Sequence, residues 1–218
     1  FPVDPNVARV VEAALDGFRQ AGATVETVKL GLKRSQGELS ALWNRQMSVL
    51  YAEIAEIFKR AGLDLAGEHR DALPREFLGL IEGGRRISAL DYKLDDIIRS
   101  EVVDCFQDVF DHHDLLVTPT LASSPVRNAK NGRTLGPATV NGIEVDPCIG
   151  WCLTYPVNFG GNPAASLPAG LDGQGLPVGL QIIGRRHDDS AVLAASRAFE
   201  NFRPWAASYR QVAELHKE

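Results

Sequence analysis

Apolar and polar positions follow two rhythms along this chain. Val7, Val10, Val11, Ala14, Leu15 and Phe18 keep the helical period, with Asp4 as N-cap, Pro5 in the first turn and Gly22 as the stop. This predicts a helix over 4–21. Ala23 to Leu30 reads as a strand, so the two form an α-then-β unit of the kind that feeds a sheet with helices on its faces. Ser35 and Glu38 make a capping box ahead of Leu39, Leu42, Trp43, Gln46, Leu50, Ile54, Ile57 and Phe58, which predicts one long helix from Leu39 to Ala61. Pro74 opens a short helix ending near Gly83-Gly84. Ser88 with Asp91 then starts another, and its Leu90, Leu94, Ile97, Ile98, Val102, Cys105, Phe106 and Val109 form the clearest stripe in the chain.

From Asp114 the rhythm changes. Leu115-Leu116-Val117-Thr118 is a short apolar run ended by Pro119, the pattern of a strand buried on both faces, and such a strand needs a large sheet around it. Residues 120–150 carry Pro125, Gly132, Gly136, Pro137, Gly142 and Pro147 with little periodicity and read as a long irregular segment. Ala165 to Leu171 and Val178 to Ile183 are apolar runs joined by Asp172-Gly173-Gln174-Gly175, which predicts a hairpin. Asp188 or Asp189 caps a last helix to about Phe199. The tail from Asn201 to Glu218 has no clear period.

Composition narrows the class. At 218 residues with 44% hydrophobic and 23% charged positions, the chain is a folded one of one large or two small domains, and neither disorder nor a disulfide-dependent miniature fits. A net charge of −5 carries no electrostatic footprint for nucleic acid or an acidic membrane. No apolar run approaches the roughly 18 residues of a spanning helix, and Phe1-Pro2-Val3-Asp4 lacks the regions of a secretory signal, so a cytoplasmic chain is expected. Cys105, Cys148 and Cys152 are odd in number and read as reduced thiols. Because the chain opens at Phe1 and its only Met is Met47, it reads as a piece of a longer product.

Three clusters carry residue types that other chemistries use, each without the context that chemistry needs. Asp111-His112-His113-Asp114 has ligand-type residues, but neighbours on a helix point in different directions, so a structural role is expected rather than a metal. Cys148 and Cys152 would share a helix face, yet no His or Asp partner for a thiolate is identifiable. Gly160-Gly161 is followed by Asn162-Pro163 rather than Gly-Lys-Ser, and Gly83-Gly84 also lacks the context of a phosphate loop.

The dense glycines and prolines from Thr154 to Gly184 are more telling. Asn158-Phe159-Gly160-Gly161-Asn162-Pro163-Ala164 and Gly175-Leu176-Pro177-Val178-Gly179-Leu180-Gln181 resemble the Asn-x-x-Gly-x-Pro-Ala and Gly-x-Pro-x-Gly-Leu-Gln segments of the amidase signature family. Asp114 to Pro119 resembles that family's Asp-x-Leu-Leu-x-Pro-Thr strand. The helix start Ser88-Ala-Leu-Asp-Tyr92, and Val3-Asp4-Pro5 with the following helix, Gly22-Ala23 and strand, are similar to it as well. The matches run in order over nearly the whole chain.

That resemblance implies an α/β fold, the C-terminal part of an amidase-signature domain with a mixed central sheet flanked by helices, and hydrolysis of carboxamide C–N bonds without metal or cofactor. The family's machinery is a nucleophilic Ser, a second Ser in a cis peptide, a Lys base and a Gly/Ser-rich oxyanion loop. None maps onto this chain, and Ser123-Ser124 lacks the neighbouring glycines. Residues 1–218 therefore read as the C-terminal portion of a single domain whose catalytic N-terminal portion is the expected partner, with no catalytic residue in this chain. Cys148, Trp151 and Tyr155 combine apolar area with few polar groups, as small-molecule sites do, and are the expected substrate-binding residues, with plain core packing as the other reading. The resemblance adds Asn158 and Gly161, whose turn would satisfy backbone donors and allow a positive φ. The other readings are the A subunit of a tRNA-dependent amidotransferase and a non-catalytic folded module. The remaining partner expected is a small-molecule amide, and the sequence is compatible with a homodimer.

Overall fold

The computed structural model describes residues 1–127 and 135–207. Among the described residues three antiparallel strands form the main sheet, β1 (Leu115–Pro119), β4 (Ala164–Leu171) and β5 (Pro177–Gly184), in the order β1-β5-β4. A small hairpin, β2 (Thr139–Val140) with β3 (Ile143–Glu144), lies within the irregular segment. Part of that segment and the end of the unassigned tail fall outside the described residues. The expected 165–183 hairpin is the β4–β5 pair, with a bulge between Pro168 and Gly170.

Helices cover both faces of the sheet, which makes the fold α/β. On one face Leu180, Ile182, Val178 and Ala169 pack against α1 (Pro5–Ala14), α2 (Asp16–Gln20) and α7 (Asp189–Phe202). On the other, Leu116 and Ile183 pack against α3 (Gln36–Arg60), α5 (Ala89–Phe110) and α6 (Tyr155–Gly160). A further helix, α4 (Arg75–Gly84), lies along α3, and the rings of Tyr51 and Phe77 meet between them at a tilt, with centroids 4.5 Å apart.

Local signals place most helix starts. Ser35 Oγ accepts from the Glu38 amide at 3.2 Å and Glu38 Oε2 accepts from the Ser35 amide at 2.8 Å, so the capping box starts α3 at Gln36, ahead of its first apolar position. Ser88 caps α5 and Asp188 caps α7 in the same manner. The predicted 4–21 helix is instead two, because the chain turns at Leu15. Periodicity runs through the break, since Phe18 still faces the core served by Val7 and Val11.

Three expectations are corrected. Residues 23–30 form no strand, because a strand needs a neighbour's backbone and none pairs with this segment among the described residues; Val25, Val28 and Leu30 still dock on the core. β1 is not buried on both faces, since as an edge strand it buries only Leu116 fully. The stripe of α5 is a core stripe only in its C-terminal half. Leu90, Leu94 and Ile97 are 69%, 51% and 57% exposed, because no described element lies against that end of the helix face. What anchors this region is polar, as Arg45 of α3 grips the buried Asp95 carboxylate with its Nε at 3.0 and 3.1 Å from the two oxygens.

Candidate functional site

The irregular segment is positioned through β5. Gln181 is buried, and its Nε2 donates to Thr118 Oγ1 at 3.1 Å and to the Leu153 carbonyl at 3.3 Å, tying the middle strand to the chain entering α6. Beyond β1 the pairing continues, with the Leu153 amide on Thr120 O at 3.0 Å and the Ala122 amide on Trp151 O at 2.8 Å. Trp151 thereby lands over a small cluster of Ala122, Val140 and Val145, with its indole N–H donating to Pro147 O at 3.1 Å. Gly136 makes room for it, since a Cβ there would overlap the indole ring.

A second set of bonds comes from α3. Asp146 accepts from the amides of Cys148 at 2.7 Å and Ile149 at 3.2 Å, while its other oxygen accepts from Asn44 Nδ2 at 2.8 Å. Gln36 Nε2 donates to Gly150 O at 2.6 Å. Neither Asn44 nor Gln36 stands out in the sequence, where helical polar residues carry no sign of a partner about 100 positions away. Asp146-Pro147 is a legible turn signal.

Tyr155 is buried at the start of α6, its hydroxyl 3.2 Å from Ser40 Oγ and its ring edge-on to Phe159. Burial pushes its phenol up to about 12. Burial likewise pushes the Cys152 thiol up to about 11 and raises that of the exposed Cys148, so neither is a thiolate at neutral pH. The helix face that their spacing suggests does not exist, because Cys152 forms an isolated bridge with Leu121.

Gly161 adopts φ +66 and ends α6 in the left-handed region. Asn158 does not satisfy backbone donors: it is exposed and makes no hydrogen bond among the described residues. Pinning that turn falls to Asn162, whose Nδ2 donates to Gly184 O at 2.9 Å. Asn158 and Gly161 border a hollow of about 440 Å³ between α5, α6 and the loop after β5. The five candidate residues thus lie in different surroundings, with Trp151 on its small cluster, Tyr155 in the core and Cys148 at the surface.

The other candidates resolve simply. His113 has both ring nitrogens engaged, by Val109 O at 3.0 Å and Glu26 Oε1 at 2.7 Å. Ser124 donates to Asp172 Oδ2 at 2.6 Å, and Ser123 Oγ is enclosed. No group of three metal-ligating side chains is gathered among the described residues.

A family model described as Amidase matches residues 1–193. The chain belongs to the amidase family. An acylamidase of Rhodococcus erythropolis is 31% identical over 208 residues, which cover 94% of this chain and 40% of that protein. The A subunit of the glutamyl-tRNA(Gln) amidotransferase of Lacticaseibacillus casei is 30% identical over 215 residues, covering 91% and 42%. A crystal structure of a bacterial aryl acylamidase of the amidase signature enzymes superposes with a TM-score of 0.90 at 44% identity, over 96% of this chain and 43% of that one. The amidase chain described here spans about 40% of the length of the curated acylamidase it matches. No helix among its described residues is long and apolar enough to cross a membrane.

Proposed function

We propose that this chain is the C-terminal portion of an amidase that hydrolyses carboxamide or anilide C–N bonds, and that it supplies sheet core and one wall of the substrate pocket. The observation that carries this reading is the fit to the aryl acylamidase, at 44% identity over nearly all of the chain. The reading as an amidotransferase component ranks below it, because that relative is 30% identical. In the proposed reaction a companion segment carries the Ser, cis-Ser and Lys. The Ser oxygen attacks the amide carbon as its proton passes through the second Ser to Lys, and backbone N–H groups hold the oxyanion. The C–N bond then breaks, the amine leaves with a proton, and water releases the acid from the acyl-enzyme.

The surface supports a companion rather than a lone module. Leu90, Leu94 and Ile97 on α5, with Ile57 and Phe58 on α3, are apolar positions left open.

The test uses the protein expressed from its complete reading frame, assayed for release of an aromatic amine from acyl anilides. Turnover is expected there, with only background from the 218-residue chain alone. Turnover by the lone chain, lost on Ser123→Ala or Ser124→Ala, overturns the assignment of the machinery to a companion. Trp151→Ala should change the relative kcat/KM across acyl groups of different length by about 10-fold, the scale of one or two methylenes in a pocket. An equal loss for every substrate marks Trp151 as structural.

A further inference from the structure

The loop after β5 is pinned on both sides while its central side chain is free. Gly184 donates its N–H to Pro163 O at 2.9 Å and accepts from Asn162 Nδ2 at 2.9 Å. The Arg185 guanidinium donates to the Phe110 and His113 carbonyls at the end of α5, His187 holds φ +67, and Asp188 caps α7. Arg186, in the middle, makes no hydrogen bond or ion pair among the described residues. It stands over the left-handed Gly161, where a Cβ would lie 3.9 Å from its Nε.

Arg186 borders the hollow shared by Asn158 and Gly161, and Asp104 of α5 borders it too. Asp104 and Asn158 also lack a hydrogen-bond or ion-pair partner among the described residues. The remaining charges there are matched, since Arg99 donates to Asp96 at 3.1 Å and to Phe159 O at 3.4 Å. Val103 and Phe159 supply apolar lining. One unpaired surface Arg is ordinary. A free cation, a free anion and a free amide border one hollow of about 440 Å³, and the backbone that carries them is held in place.

We propose that this hollow binds a small zwitterion of the amino-acid class. Arg186 takes the carboxylate through its forked N–H donors with Asn158 beside it, Asp104 takes the ammonium, and an apolar side group rests on Phe159 and Val103. The inference does not rest on amide hydrolysis, and its readout is binding rather than turnover.

The protein expressed from its complete reading frame is titrated calorimetrically with L-phenylalanine, 3-phenylpropionate and phenethylamine. Phenylalanine should saturate one site with a Kd of about 0.1–5 mM, fitting a ligand of this size. The other two probes, each lacking one charge, should bind at least about 10-fold more weakly, the loss of one charge-assisted hydrogen bond. Arg186→Gln and Asp104→Asn should each weaken phenylalanine by a similar factor while leaving the ligand-free Tm unchanged, since both side chains are exposed and unpaired. Absence of saturation overturns the proposal, as does an affinity that neither variant changes. Equal binding of 3-phenylpropionate and phenylalanine also overturns it, because the hollow is then an anion site.

Discussion

The β4–β5 hairpin and the segment from 135 to 153 meet at Gln181, yet they are held by opposite means. The hairpin is apolar and redundant: Leu180, Ile182 and Ile183 are fully buried, and strand pairing and helix packing both support them. The segment has little regular structure and buries only a small cluster. Its shape depends on single polar bonds from distant elements, Gln36 to Gly150, Asn44 to Asp146 and Gln181 to Leu153. Apolar burial is non-directional and forgiving of partner, so it builds the platform. Hydrogen bonds are directional and can place one loop in one shape, which is what the wall of a site requires.

The largest loss is expected from the hairpin. Ile182→Ala should cost about 2–5 kcal/mol by opening a cavity in the middle strand, seen as a lower urea midpoint reported equally by every probe. Asp146→Ala should instead ease local opening of the segment, by about 0.5–2 kcal/mol, the range of a lost cap, without adding to the cost of global unfolding. Its mark should be faster proteolytic cutting between 135 and 150, with the unfolding midpoint barely moved. Should Asp146→Ala lower the midpoint as far as Ile182→Ala does, the segment and the hairpin unfold as one unit and the comparison breaks.

The smallest effect concerns the turn of the hairpin itself. The Ser124 hydroxyl and the Leu176 and Gln174 amides all donate to Asp172, which holds its carboxyl below the usual carboxylate range. A folded pKa below the unfolded value stabilises the protein at neutral pH, and that contribution fades as pH falls through the unfolded and then the folded value. Asp172→Asn should therefore show a shallower loss of urea midpoint between about pH 5 and pH 3, around the ordinary Asp value of about 3.9. Identical acid limbs for both proteins would show that the lowered pKa of Asp172 does not contribute to stability.

Much of the platform was legible, because the signals that build it are short-range. Ser35 with Glu38, Ser88 and Asp188 announce helix starts, and the Asp172 to Gly175 turn announces the hairpin. The errors share one cause. Residues 23–30 have a strand's composition and lack a strand's neighbour, and the α5 stripe is apolar from Leu90 onward although its first three members face no described element. Periodicity records which face a segment prefers to bury, whereas burial itself depends on what lies opposite.

The site was legible to a different extent. The sequence by itself determined the α/β class, the helix caps, the hairpin and, through two glycine-rich segments, the amidase family. Only the tertiary structure separated Trp151, Tyr155 and Cys148 into a cluster, a core position and a surface position, transferred the pinning of the turn from Asn158 to Asn162, and left Arg186 and Asp104 unpaired on one hollow. The reason is physical. Caps and turns are decided within a few residues by the backbone's own hydrogen-bonding needs, while the surroundings of a side chain are decided by residues about a hundred positions away, whose approach is settled only when the whole core packs.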